Sequence, residues 1–280
     1  LNATTTWFER RRALALGFVV GGASVGGVVL PIMMQQLIPR IGFKWSLRAV
    51  GFLMLGLCMV AQLTVRSRVP PTPKPLSAKE FVHPLKEFSF LMLTIGSALF
   101  FWGMFVPFNY VIVQAEAAGM PAELAEYLVA VLNGTSLFGR ILPGYLGDRV
   151  GRFNTLVIMS TFSGILTLGL WLPGRRSVSA LIAFAALYGF ASGAFVSLAP
   201  ACVAQISPLN KIGVRQGVYF ACISWAALTG NPIAGAIRGA QGGAFEGLQA
   251  WTGGCLIFGS LLLGVSRWGV AERKIGFARV

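Results

Sequence analysis

Eight apolar runs are the feature that most restricts what this chain can fold into. A run of about 20 apolar residues is long enough to cross the hydrocarbon core of a bilayer as a helix. We place the runs at residues 13–38, 46–65, 88–114, 124–146, 155–172, 178–206, 214–237 and 248–270. The pattern predicts an all-α polytopic membrane protein with eight transmembrane helices embedded in a lipid bilayer.

Charge is sparse and unevenly distributed. Charged residues make up 11% of the chain and hydrophobic ones 55%, whereas soluble domains are about 25% charged. Most of the 23 lysines and arginines fall in loops around residues 10–12, 66–86, 149–152, 211–215 and 267–279. Such an excess marks the cytoplasmic side, so we expect both ends of the chain in the cytoplasm. Any cell membrane would accept this charge pattern, and the plasma membrane is the location that we expect. The net charge of +14 sets topology and does not predict a nucleic-acid partner.

Residues that would support catalysis or metal binding do not cluster. The four cysteines stand apart in apolar runs with no CxxC spacing, and His83 is the single histidine. No nucleophile–base pair and no phosphate-binding loop with its lysine is present. We therefore predict no catalytic residues, no metal, no cofactor and no enzymatic activity.

The longest polar segment, 66–88, divides the chain. It is rich in proline and basic residues, and Ser77 and Glu80 have the spacing of a capping box. Two interpretations stay open, a short interfacial amphipathic helix and a solvated linker. The segment defines three regions: two spans in 1–66, a loop in 67–87, and six spans in 88–280.

Arg140 lies inside an otherwise apolar span. An arginine at membrane depth costs at least about 2.5–3.5 kcal/mol, so such residues usually face a cavity, a partner or a substrate. Asn133 and Ser136 precede it at helical spacing, and the three share one helix face within about 60°. The planar guanidinium suits a carboxylate. Arg140 either binds an anionic group of a substrate or pairs with an acid or backbone carbonyls to hold helices together.

Four further polar residues in spans are candidates for substrate contact, although each taken alone is more typical of packing. They are Asn109, Tyr188, Ser224 and Asn231.

Three segments carry a family resemblance. WFERRRALALGFVVGGASVGGVVLPIM resembles the signature of the monocarboxylate porter family, and LKEFSFL is similar to the fungal branch of that family. GYLGDRVGR resembles the second-half copy of the Gly-x-x-x-Asp-Arg-x-Gly-Arg loop of the major facilitator superfamily. The family fold has twelve spans in two six-helix halves. The resemblance therefore implies the last two helices of an amino-terminal half followed by a complete carboxy-terminal half, with four helices missing at the front.

The same resemblance implies a role for the loop. It would be a cytoplasmic latch whose charge contacts favour one access state, with a plain solvated loop as the alternative. Asp148 can sit near a helix end, and Arg149 and Arg152 can pair with it. The latch residues are Gly144, Gly147, Asp148, Arg149, Gly151 and Arg152.

The resemblance also implies function. Porters of this family carry an arginine where this chain has Arg140, and an acid for proton coupling where it has Ser136. We expect a secondary-active transporter of small organic anions that works by alternating access. The alternatives are transport of another metabolite, such as a flavin, a sugar or an exported product, and a truncated membrane protein that does not transport.

Overall fold

The computed structural model describes residues 2–66, 68, 78–174 and 176–271, and these contain helices and no strand. Short 3₁₀ segments lie at His83–Lys86 and Leu209–Lys211, and a π-helical turn at Thr167–Trp171. The helices are α1 (Asn2–Trp7), α2 (Arg12–Thr64), α3 (Ala78–Val82), α4 (Phe88–Met104), α5 (Val106–Ala117), α6 (Ala122–Ala125), α7 (Tyr127–Val150), α8 (Arg152–Leu166), α9 (Val178–Gln205), α10 (Ile212–Ala240) and α11 (Glu246–Ala271).

Helix α2 reverses direction at Gly42. Its 53 residues would extend about 80 Å if straight. The Trp7 indole, which precedes the helix, nevertheless donates to the Arg66 carbonyl, which follows it, at 3.0 Å. The turning point is Gly42, whose φ of 77° and ψ of 161° suit a residue without Cβ. Residues 12–41 therefore form a first arm of α2, and residues 43–64 form a second arm. The link between the predicted spans 13–38 and 46–65 reduces to one non-helical glycine.

Six segments among the described residues are long and apolar enough to cross a membrane. The eight-span prediction is not reproduced by this count, for two reasons. Both arms of α2 are counted as one segment, and α7, which carries Arg140, Asp148 and Arg149, is not among the six. The segments are Arg12–Thr64, Phe88–Ala117, Arg152–Trp171, Val178–Gln205, Leu209–Ala240 and Glu246–Ala271.

Helix α7 lies between the first arm of α2 and α9, while α4 runs along α11 and α8 packs against both α9 and α11. Helix α9 carries much of the core, including the fully buried Phe184, Phe195 and Leu198. Because α9 is apolar on all sides and enclosed by neighbours, it acts as the central support against which α7 is positioned.

The second arm of α2 has little cover from the rest of the described chain. Phe52 is 68% exposed and Leu63 is 80% exposed, whereas Leu16 in the first arm is fully buried. An apolar helix surface of this size is stable only against lipid or other apolar helices.

The segment after the proline-rich stretch is helical where the structure describes it. Helix α3 continues into the 3₁₀ turn His83–Lys86 before α4 begins. Residues 78–86 are therefore helical, whereas their position at a membrane interface stays a prediction. Ser77, the other member of the predicted capping box, lies outside the described residues.

Candidate functional site: the Arg140 seam and the Asp148 latch

Glycines bring α7 into direct backbone contact with both neighbours. A Cβ on Gly17 of α2 would collide with the Arg140 carbonyl, and one on Gly139 would collide with the Phe190 carbonyl of α9. A Cβ on Gly144 would come within 2.8 Å of the Ala13 carbonyl. Small residues permit this kind of close helix approach in lipid. Arg140 therefore sits in a narrow seam whose width depends on these glycines.

The Arg140 side chain is 8% exposed and reaches across the seam. Its Nη1 donates to the Val20 carbonyl of the first arm of α2. Ser197 of α9 donates to the Arg140 carbonyl at 3.1 Å. The buried Nε has no acceptor, and among the described residues no acid pairs with the guanidinium. The charge thus rests on one neutral carbonyl, which leaves donor capacity for a further acceptor.

The polar stripe predicted on α7 is divided between two neighbouring helices. Asn133 lies against Gly27 of α2 and donates to its own helix at the Val129 carbonyl, 2.9 Å away. Ser136 is buried against Gly193 of α9. Asn133 and Arg140 therefore share the α2 side, whereas Ser136 faces α9.

Tyr188 is fully buried and supports the break between α4 and α5. Its hydroxyl donates to the Met104 carbonyl at 3.0 Å, where the helix is interrupted at Phe105. The ring stacks on Phe184 with centroids 5.0 Å apart. In this conformation Tyr188 satisfies a carbonyl at a helix break and does not join Arg140.

The other three candidates do not converge on Arg140 either. Asn109 is exposed and donates to the Phe105 carbonyl at 3.2 Å. Ser224 is exposed and donates to the Ala221 carbonyl at 2.8 Å. The buried Oδ1 of Asn231 has no donor partner. Asn109 and Ser224 lie on open faces of α5 and α10, where further helices or a substrate could reach them.

Asp148, at the end of α7, caps the start of α2. Its two carboxylate oxygens accept the backbone N–H groups of Ala13 at 3.2 Å and Leu14 at 3.0 Å. These belong to the first turn of α2, whose own preceding residue supplies no side-chain cap. Free N–H groups and the positive helix end both favour a carboxylate here. A long-range cap therefore joins the α7–α8 turn to the first arm.

Arg152 completes the contact. Its Nε donates to Asp148 at 2.8 Å, and the two side chains are only 12% and 6% exposed. Its Nη2 donates to the Glu9 carbonyl at 2.9 Å. Arg149 instead lies over the Tyr145 ring, 4.3 Å from the centroid. The predicted pairing with Asp148 is correct for Arg152, whereas for Arg149 the structure has a cation–π contact.

Two glycines shape the turn itself. Gly151 has φ 122° and ψ 130°, a backbone conformation that residues with a Cβ rarely adopt. A Cβ on Gly147 would come within 2.8 Å of Leu198. Of the six latch residues, Asp148 and Arg152 make the contacts across this turn. They bind the start of α2 and the carbonyl of Glu9 just before it.

Arg12 also belongs to this region, and sequence reasoning counted it only as a topology signal. It is 7% exposed and donates through Nη1 to the Ala204 carbonyl near the end of α9, at 3.1 Å. A cation at a helix carboxy-terminal end is favourable. The cluster at residues 10–12 indicates a basic loop in the sequence. The sequence does not indicate which of its three arginines is buried.

A second ion pair was also missed, because its partners are 128 residues apart. Arg215 donates to both carboxylate oxygens of Glu87, at 2.7 and 2.6 Å. Its guanidinium also lies 4.8 Å from the Phe90 ring centroid. The hydrogen bonds from Arg215 hold the pKa of Glu87 below its ordinary value. This pair ties the start of α4 to the start of α10.

Comparison with known proteins identifies the family. The family model for the Major Facilitator Superfamily matches residues 1–176 and, in an overlapping match, residues 93–271. The chain is 45% identical over 267 residues to MFS-type transporter 1 of Ophiocordyceps sp., covering 95% of this chain and 59% of that protein. It is 44% identical over 274 residues to an MFS-type transporter of Gibberella moniliformis, covering 98% and 66%.

A third relative carries a more specific name. The chain is 40% identical over 276 residues to the Fujikurins efflux protein of Gibberella fujikuroi, covering 98% of this chain and 59% of that protein. The chain thus spans between 59% and 66% of the length of these three relatives. Together with its apolar helices, these matches show that the chain is a multi-pass integral membrane protein and belongs to the Major Facilitator Superfamily, whose members among these relatives are named as transporters.

Proposed function

We propose that this chain is the carboxy-terminal part of a secondary-active transporter that moves a small organic anion by alternating access. The latch is the observation that carries the proposal. Asp148 binds backbone N–H groups at the start of the first arm of α2, and Arg152 binds the carbonyl of Glu9 just before it. These charge-assisted hydrogen bonds are strong but reversible. Such contacts close one side of the seam and can release it when the two halves rock against each other.

The proposed topology has eight spans. In it, residues 1–66 supply the last two helices of the amino-terminal half, 67–87 the cytoplasmic connection, and 88–280 the six-helix carboxy-terminal half. Four preceding helices of the same transporter would complete the other half, covering part of the exposed second arm and leaving the rest to lipid. Both ends of this chain would be cytoplasmic and the location would be the plasma membrane.

Arg140 supports an anionic substrate. It holds a positive charge in the interior of α7 against one backbone carbonyl, and its Nε lacks an acceptor. A carboxylate is the natural bidentate partner for that group. Asn133 lies on the same side and would add a polar contact, while Asn109 and Ser224 would be reached from the open faces of α5 and α10. Asn231, whose Oδ1 is buried, stays a candidate for substrate contact.

Export is the direction that the relatives favour. The protein of Gibberella fujikuroi is named as an efflux protein, which supports the exported-product alternative. Ser136, buried against α9, offers no carboxylate for a proton, so any proton coupling would depend on residues outside this half. An exported organic anion is therefore the form of the function that we favour.

The test is transport by the complete transporter that contains this chain, reconstituted in liposomes and loaded with labelled monocarboxylates. We expect Arg140→Gln to abolish carboxylate flux while the protein remains folded. Arg48→Gln is the matched control, because Arg48 is exposed and lies over Trp45 at 4.7 Å, away from the seam. Equal flux in wild type and Arg140→Gln would exclude the anion role of Arg140.

A further inference from the structure

An apolar cavity adjoins the Arg140 seam. It has a volume of about 90 Å³ and lies where the first arm of α2 meets α4, α9 and α10. Its lining is aliphatic or aromatic, apart from the hydroxyl of Tyr219. The residues are Val20, Phe101, Phe195, Val196, Ala199, Pro200, Tyr219 and Phe220.

Aromatic rings in defined orientations form two walls of this cavity. Phe101 meets Phe195 edge-on with centroids 5.5 Å apart, and Phe100 stacks behind Phe195 at 4.2 Å. Tyr219 and Phe220 form a second edge-on pair at 5.3 Å. Rings held in this way present both faces and edges, which is the surface that another aromatic ring packs against most favourably.

The cavity and the positive charge share one residue. Val20 lines the cavity, and its carbonyl accepts the hydrogen bond from Arg140. On α9, Ser197 donates to the Arg140 carbonyl and lies in the sequence between the lining residues Val196 and Ala199. A ligand that fills the cavity would therefore contact the residue whose carbonyl holds Arg140. Arg140 is 8% exposed and its Nε has no partner.

We infer that the transported molecule is an aromatic acid: a planar apolar ring that enters this cavity, joined to a carboxylate that binds Arg140. This inference rests on the proposed transport function and adds its substrate class. An apolar cavity of about 150 Å³ holds a whole benzene molecule. The cavity here, at about 90 Å³, would take only the leading edge of a ring, and the rest of the ring would stay outside it. The rest of a larger molecule would extend towards the open face of α10.

Two carboxylates and a neutral ring test the inference on the complete transporter purified in lipid nanodiscs. The probes are acetate, benzoate and benzyl alcohol, titrated calorimetrically with empty nanodiscs as the blank. We expect wild type to bind benzoate about tenfold more tightly than acetate, because the ring gains apolar burial and aromatic contacts. Arg140→Gln should weaken both carboxylates to a similar degree and leave benzyl alcohol unchanged.

Variants of the cavity separate its role from that of the charge. Val196→Phe places a ring in the cavity, so it should lower the affinity for benzoate to about the affinity for acetate. Phe220→Ala removes a wall of the cavity and should lower the affinity for benzoate as well. Trp225→Ala is the control on the same helix, since Trp225 is 71% exposed and does not line the cavity. It should keep the wild-type preference.

The outcomes distinguish the two proposals. If wild type binds benzoate and acetate equally, and Val196→Phe changes neither, the cavity is not a ring site and the inference is wrong, while anion transport stands. If wild type binds neither carboxylate, the proposed anion function fails and the inference falls with it. If the benzoate preference persists in both cavity variants, the ring binds elsewhere and the assignment of this cavity is wrong.

Discussion

At the residue scale, one carboxylate organises the end of α7. Asp148 is 6% exposed and serves three donors, two of them backbone N–H groups that no other described side chain caps. Removing a buried acceptor strands those donors, which costs more than the hydrogen bonds themselves contribute. Asp148 is therefore the single side chain whose loss should most weaken the contact between α2 and the α7–α8 turn.

We predict that Asp148→Ala destabilises the protein by about 2 kcal/mol, because it removes a cap and strands two N–H groups together with Arg152. A lower melting temperature of the purified protein in detergent would show this. Glu123→Ala is the control, since Glu123 is an exposed acid on α6. Identical melting temperatures for the two variants would mean that the cap contributes nothing.

The Glu87–Arg215 pair should make stability depend on pH. The pKa of Glu87 is lowered from its ordinary value of 4.5, chiefly by hydrogen bonds from Arg215. A carboxyl with a lowered pKa in the folded state contributes stability above its unfolded-state pKa, and loses that contribution as the pH falls through the folded-state pKa. The contribution is about 1 kcal/mol or less, because the Glu87 side chain is 40% exposed and solvent screens the pair.

The measurement is the melting temperature of wild type and Glu87→Gln between pH 7 and pH 3. We expect wild type to be the more stable at pH 7 and the difference to vanish once the pH falls well below 4.5. Glu116→Gln, at an exposed position on α5, should show no such convergence. A difference that stays constant over the whole range would contradict the assignment of the effect to the ion pair.

At the element scale, glycine positions set the distance between helices. Gly17 and Gly22 stand five residues apart on the first arm of α2 and have opposite surroundings. A Cβ on Gly17 would overlap the Arg140 carbonyl, whereas one on Gly22 would have no neighbour within 4 Å. The run of small residues in the sequence predicts close packing, but only the packed helices show which glycine is in contact.

We predict that Gly17→Ala destabilises the protein by about 1–3 kcal/mol, because α2 and α7 must move apart. Gly22→Ala should be neutral or stabilising by up to about 1 kcal/mol, since alanine is the better helix former. Thermal unfolding of both variants under one set of conditions compares them directly. Equal losses of stability in the two variants would show that α2 and α7 lie further apart at Gly17 than they do in the structure.

At the scale of the whole molecule, the arrangement of charge predicts orientation. The latch and the Glu87–Arg215 pair lie at the helix ends that we assign to the cytoplasm, and the loop containing Arg176 lies at the opposite ends. Lipid separates the two sets, so each should be accessible from one side only.

We predict that a cysteine at Arg176 reacts with a membrane-impermeant maleimide in intact cells, and that a cysteine at Lys211 reacts only after permeabilisation. Both positions are exposed, so a failure to react reports sidedness and not burial. The background should have Cys58, Cys202, Cys222 and Cys255 replaced by serine. The reverse labelling pattern would invert the proposed topology.

The sequence by itself determined the class of this protein and much of its local structure. Apolar length is a property of each segment alone, so the helices follow from composition, and the basic loops predict an orientation. The glycine-rich turn was likewise predicted, because turns depend on neighbouring residues. The segment after the proline-rich stretch was not decided by the sequence, which left a helix and a solvated linker open.

Tertiary structure alone decided the partners. Asp148 finds Ala13 and Leu14 across 135 and 134 residues, and Arg215 finds Glu87 across 128. No local pattern encodes such a distance. Arg140 could be recognised as exceptional, yet its contact with the Val20 carbonyl depends on how α2 packs against α7. Which side chains meet is set by packing between helices, whereas hydropathy reports only which surfaces avoid water.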